Sequence, residues 1–111
     1  MMPSDYTILL VEDSPDDVFL IQRAFRKANL LNPLVTVDDG EKAVDYLSGA
    51  GLYADRAKFP LPVLVLLDLK LPRKGGHEVL AWLKAQPSLR RLPVVVLTSS
   101  NETGDINKAY D

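Results

Sequence analysis

The chain has 111 residues, one domain's worth, and 47% of them are apolar, enough for a core and too many for a disordered segment. A net charge of −2 leaves no electrostatic footprint for nucleic acid. With no cysteine and a single histidine, His77, disulfides and thiolate metal sites are excluded, and a His-rich metal site or a Ser-His-Asp triad would have nothing but His77 to draw on.

Tyr6-Thr7-Ile8-Leu9-Leu10-Val11 is a continuous run of strand formers, the pattern of a strand buried on both faces of a parallel sheet. It ends in Glu12-Asp13. Ser14 can cap a helix and Pro15 suits its first position, where the missing N–H is not needed. Val18, Ile21, Phe25 and Ala28 recur near the helical period and are expected to face inward, with the helix stopping near Asn29. Leu34 to Val37 reads as a second strand. Asp38-Asp39-Gly40 is a turn, and from Glu41 a short helix turns Ala43, Val44 and Leu47 inward. Positions 48–62 have no clear period and hold two glycines and two prolines, so a long loop is expected. Val63 to Leu67 is the most apolar run and the expected central strand; it ends at Asp68. Gly75-Gly76 precedes a third helix with Val79, Leu80 and Leu83 inside and Pro87 at its end. Pro93 to Leu97 is a fourth strand, followed by Thr98-Ser99-Ser100, and 101–111 reads as the beginning of a fourth helix. Four strand–helix alternations favour an α/β fold with a parallel sheet and helices on both faces. No stretch has the length of a membrane-spanning helix, and MMPSDY lacks signal-peptide character, so a cytoplasmic protein is expected, with neither membrane nor nucleic acid as partner.

In such sheets ligands sit outside the carboxyl ends of the strands. Three apolar runs end there in Glu12-Asp13, Asp68 and Thr98. One polar residue after an apolar run means little; three carboxylates and a hydroxyl at one pole are harder to explain as turns or caps. Two carboxylates about 4 Å apart repel by roughly 4 kcal/mol at an effective dielectric near 20. A hard cation removes that repulsion, and magnesium suits a few carboxylates, several waters and a phosphate. Asp68, on the central strand, is then the expected nucleophile toward phosphorus. Thr98, and the backbone N–H groups after Asp68 and Thr98, are placed to donate to a phosphoryl group, with Leu69, Lys70 and Ser99 forming the phosphate-site loop.

The strings ILLVEDSPDD, VLLDLKLPRKGGHEVL and PVVVLTSS resemble response-regulator receiver domains, the phosphoacceptor partners of histidine kinases. Asp68, Pro72 and Gly76 stand at the family's spacing. The resemblance covers 1–111 as one receiver domain and implies a flavodoxin-like doubly wound sheet of strand order 2-1-3-4. It implies magnesium bound by Asp13 and Asp68 directly, by Glu12 more loosely through water, and by the backbone carbonyl of Lys70. It implies phosphorylation of Asp68, with Thr98 as the switch hydroxyl and no small-molecule product. The long loop and DLKLPRKGG are similar to single-domain regulators that partner bacterial phytochromes, which makes a phytochrome-type histidine kinase the expected partner. Lys70 stands where the family often has a small polar residue or asparagine. A complete receiver continues into a fifth strand and helix, with a lysine that pairs with the phosphoryl group; the sequence stops at Asp111, before either. That departure suggests a truncated receiver, a homodimer formed by pairing of the two fourth strands or by exchange of residues 101–111, and a rival function as a phosphorylation-independent interaction module. A phosphohydrolase with an aspartyl nucleophile is disfavoured because Lys70 occupies the position of its usual second aspartate, and no G-x-G-x-x-G follows the first strand to bind a dinucleotide.

Overall fold

The computed structural model describes residues 6–71 and 74–97. Four strands, β1 (Ile8–Val11), β2 (Leu34–Val37), β3 (Leu64–Asp68) and β4 (Val94–Leu97), alternate with the helices α1 (Pro15–Lys27), α2 (Gly40–Ser48) and α3 (Gly76–Ala85). The sheet has the order β2-β1-β3-β4, and every pairing is parallel. This is the expected flavodoxin-like arrangement. The expected helix over 101–111 lies outside the described residues.

The register follows from burial. Alternate residues of a strand point to opposite faces, and both faces of β1 are apolar. Leu9 and Val11 join Val37, Val65 and Leu67 in one core with Ala43, Tyr46 and Leu47 of α2 and Val79 and Leu83 of α3. Ile8, Leu10 and Leu66 form a smaller core on the other face, where Val18, Ile21 and Phe25 of α1 pack. Ala28 does not join them: it is the exposed C-cap residue, one step past the last turn of α1. Asn29 closes that end in the left-handed conformation, φ 58°, while the Leu30 N–H donates to the Phe25 carbonyl.

The chain between α2 and β3 is more ordered than its lack of period suggests. It contains a short 3-10 helix, Gly51–Ala54. Gly49 ends α2 in the left-handed region, φ 73°. The Arg56 guanidinium donates to the carbonyls of Tyr46 (2.8 Å) and Leu47 (3.0 Å), satisfying two acceptors at the end of α2. Phe59 meets Tyr46 and Tyr53 edge to face, and the two tyrosine rings are tilted against each other, with centroids 5.0–6.2 Å apart. The Tyr46 hydroxyl donates to the Pro60 carbonyl at 2.7 Å. Because this segment leads into the start of β3, it lies at the pole opposite the strand ends.

Candidate metal and phosphoacceptor site

Parallel pairing brings the acidic residues together. Val11 is in register with both Val37 and Leu67, so Glu12 and Asp68, one residue further along their strands, reach the same level. The Glu12 N–H donates to the Val37 carbonyl at 3.0 Å, which continues the ladder by one step and holds Glu12 at the sheet. Glu12, Asp13 and Asp68 each offer a carboxylate oxygen, and these oxygens lie within 4.8 Å of one another. Glu12 is buried, Asp68 partly buried and Asp13 exposed.

Local hydrogen bonds aim the two inner carboxylates. Glu12 Oε2 accepts from the Ser14 N–H at 3.3 Å, and Ser14 in turn caps α1 by accepting from the Asp17 N–H at 3.3 Å. Asp68 Oδ1 accepts from the Lys70 N–H at 3.0 Å, an Asx turn that fixes the carboxylate as the chain leaves β3. The Lys70 side chain is exposed. Burial pushes the Glu12 carboxyl from its ordinary 4.5 up to about 8; a hydrogen bond with Asp68 adds to the rise, and the Ser14 N–H opposes it. The shift favours the protonated form of Glu12 while no cation is present.

The donor set fits a hard divalent cation. Octahedral magnesium at 2.0–2.1 Å places its ligand oxygens about 2.9 Å apart when adjacent and about 4.2 Å apart when opposite. Three oxygens within 4.8 Å reach that geometry with small side-chain movements. All three are carboxylate oxygens, the ligands such ions prefer, and one of the three is exposed, leaving solvent room for waters and a phosphate.

Of the site residues expected from sequence, Glu12, Asp13, Asp68, Leu69 and Lys70 are brought to one pole. Thr98 and Ser99 lie outside the described residues, as do Pro72 and Arg73. His77 is exposed at the start of α3, and Trp82 is half-buried against the larger core. Sequence reasoning missed the contacts made by two glycines. Gly40 opens α2 and Gly76 opens α3, and each lies against backbone of the segment that follows Asp68. A glycine at the first position of a helix is a visible signal, but the partner it touches is not.

The model of the response regulator receiver domain matches residues 8–111. The chain belongs to that family. Response regulator Rcp1 of Synechocystis sp. is 43% identical to this receiver domain over 104 residues, covering 94% of this chain and 69% of the relative. The Mn(2+)-bound form of Rcp1 superposes with a TM-score of 0.81, covering 95% of this chain and 73% of that one. The phosphorylated cyanobacterial phytochrome response regulator RcpA is 46% identical with a TM-score of 0.82, covering 96% of this chain and 74% of that one. The bacteriophytochrome response regulator AtBRR is also 46% identical, with a TM-score of 0.84, covering 97% of this chain and 76% of that one. This receiver domain is thus a signalling domain of two-component systems with an acidic cluster suited to a divalent metal. Among the described residues, no helix is long and apolar enough to cross a membrane.

Proposed function

We propose that the chain is a magnesium-dependent phosphoacceptor, with Asp68 as the residue that receives the phosphoryl group from a histidine kinase. The observation that carries this reading is the convergence of Glu12, Asp13 and Asp68 oxygens within 4.8 Å at the carboxyl ends of β1 and β3. Asp68 has the nucleophile's position: it ends the central strand, is partly buried, and has one carboxylate oxygen held by the Lys70 N–H. That bond orients the group so that the other oxygen can attack phosphorus, forming an acyl phosphate as the bond to the donor's leaving group breaks. Asp13 and Asp68 would hold the metal directly, Glu12 would support it from the buried side, and the Lys70 carbonyl would complete the protein ligands. A cation bound there would supply neutralisation of the charge on the phosphoryl oxygens. In the same proposal Thr98 and the backbone N–H groups of Leu69 and Ser99 would donate to those oxygens.

The relatives named as phytochrome response regulators support a phytochrome-type kinase as the donor. A cytoplasmic site of action follows from that partner. Self-association along β4 belongs to the same proposal, with Val95 of that strand 44% exposed. Phosphotransfer from a phosphohistidine-labelled kinase core tests the function. Label should reach the chain only with a divalent cation present; transfer unaffected by a chelator would contradict the reading.

A further inference from the structure

Gly40 and Gly76 are far apart in sequence, but both press on backbone between β3 and α3: Gly76 on Asp68 and Leu69, Gly40 on Lys74. The Gly76 N–H also donates to the Leu69 carbonyl at 3.2 Å. At Gly76 a methyl group would sit 2.5 Å from the Leu69 Cα and 3.1 Å from the Asp68 carbonyl carbon. At Gly40, the first residue of α2, a methyl group would sit 2.6 Å from the Lys74 carbonyl carbon and 2.8 Å from its Cβ. Both obstacles are backbone or lie next to it, so they cannot swing aside as the tip of a long side chain would. Gly75, between them, differs: a methyl group there meets nothing within 4 Å, and its φ of −69° is open to any residue.

Leu69 and Lys74 are therefore each met by a close backbone approach that only a glycine permits. One contact is at Asp68 itself. The other comes from α2, whose start is anchored separately by the buried Asp39, whose Oδ1 accepts from the Lys42 N–H at 2.7 Å. We infer that Gly40 and Gly76 are positioning residues for the phosphoacceptor: Gly40, at the start of α2, holds the Lys74 backbone and Gly76 holds that of Asp68 and Leu69, and together they set the direction of the Asp68 carboxylate toward the metal. Gly40 acts on Asp68 through the Lys74 backbone and contributes no ligand. The inference deepens the metal-centre reading and rests on it.

The test uses the full chain, labelled with ¹⁵N, titrated with magnesium chloride and followed by amide spectra and calorimetry. Gly75→Ala should bind magnesium as the wild type does. Gly40→Ala, measured in its folded fraction, should bind more weakly by about 10–100-fold, the range typical of changes just outside a metal's ligands. Its Lys70 amide, which reports the hydrogen bond to Asp68 Oδ1, should be displaced before any metal is added. Gly76→Ala should show both effects more strongly. A wild-type measurement covers the case in which the substituted chains do not fold: coupling is reciprocal, so magnesium should shift the Gly40 and Lys74 amides together with that of Lys70. Wild-type affinity and an unmoved Lys70 amide in folded Gly40→Ala would overturn the inference. So would equal losses in Gly75→Ala and Gly40→Ala, or a wild-type titration that moves Lys70 and leaves Gly40 and Lys74 in place. Failure of the wild type to bind magnesium would instead defeat the metal-centre reading itself.

Discussion

At the residue scale the acidic pole behaves as a set of charges that needs a cation. Oxygens 4.8 Å apart, the widest separation in the cluster, repel by about 3.5 kcal/mol per ionised pair at an effective dielectric near 20. Protonated Glu12 is the metal-free solution to that repulsion. Its value of about 8 lies above the ordinary 4.5, so its contribution to stability is full below about pH 4.5 and is lost as pH rises through about 8. Thermal melts of the metal-free chain should fall across that window, and magnesium should raise the melting point more at its upper end than at its lower end. Glu12→Gln should remove most of this slope; an unchanged slope would show that another group carries it. Asp13→Asn and Asp68→Asn should each weaken magnesium binding by at least the roughly 10–100-fold seen for changes outside the ligand shell. Calorimetry showing wild-type affinity in both would remove the assignment. These three carboxylates were legible in the sequence because each follows an apolar run, and parallel strands bring such endings to one pole. The contact between Gly40 and Lys74 was not legible. It depends on how close α2 comes to the β3–α3 connection, and no spacing within one segment encodes that distance.

At the element scale, each strand and α-helix of the described residues follows from local pattern, with boundaries displaced by a residue or two. Val63 illustrates the displacement. It is apolar and continues the run of β3, but its N–H donates to the Thr7 carbonyl, ahead of the paired residues of β1. The connection from α2 to β3 was the least legible part. Its order comes from Arg56 and three aromatic rings, interactions without a sequence period. Arg56→Ala should remove the charged donor from the end of α2 and destabilise the chain by about 1.5–3 kcal/mol, the range for hydrogen bonds to charged groups. Tyr46→Phe removes one neutral hydrogen bond, and the Pro60 carbonyl loses its donor, so a smaller loss of about 1 kcal/mol is expected. Urea unfolding measures both. Because this connection lies at the pole opposite the carboxylates, neither change should alter magnesium affinity, and a parallel loss of binding would place the segment in the site.

At the scale of the whole molecule, the sheet separates stability from chemistry. Its larger core, under α2 and α3, includes the fully buried Leu83, Val79 and Tyr46, while the carboxylates stand past the ends of β1 and β3. Leu83→Ala should cost about 2–5 kcal/mol, a large share of the roughly 5–15 kcal/mol total expected of such a domain. Leu31, 77% exposed, should tolerate alanine within about 0.5 kcal/mol. A domain built this way can hold an exacting arrangement of charge on a rigid frame, which a reversible phosphoryl acceptor requires. The central claim is that Asp68 is that acceptor and that a divalent cation at Glu12, Asp13 and Asp68 is needed for it. It is tested most directly by incubating the full chain with acetyl phosphate, with and without magnesium, and reading intact mass beside Asp68→Asn. A gain of one phosphoryl group that requires magnesium and vanishes in Asp68→Asn is the expected result. A gain that survives in Asp68→Asn, or that forms equally well without the cation, would contradict the account.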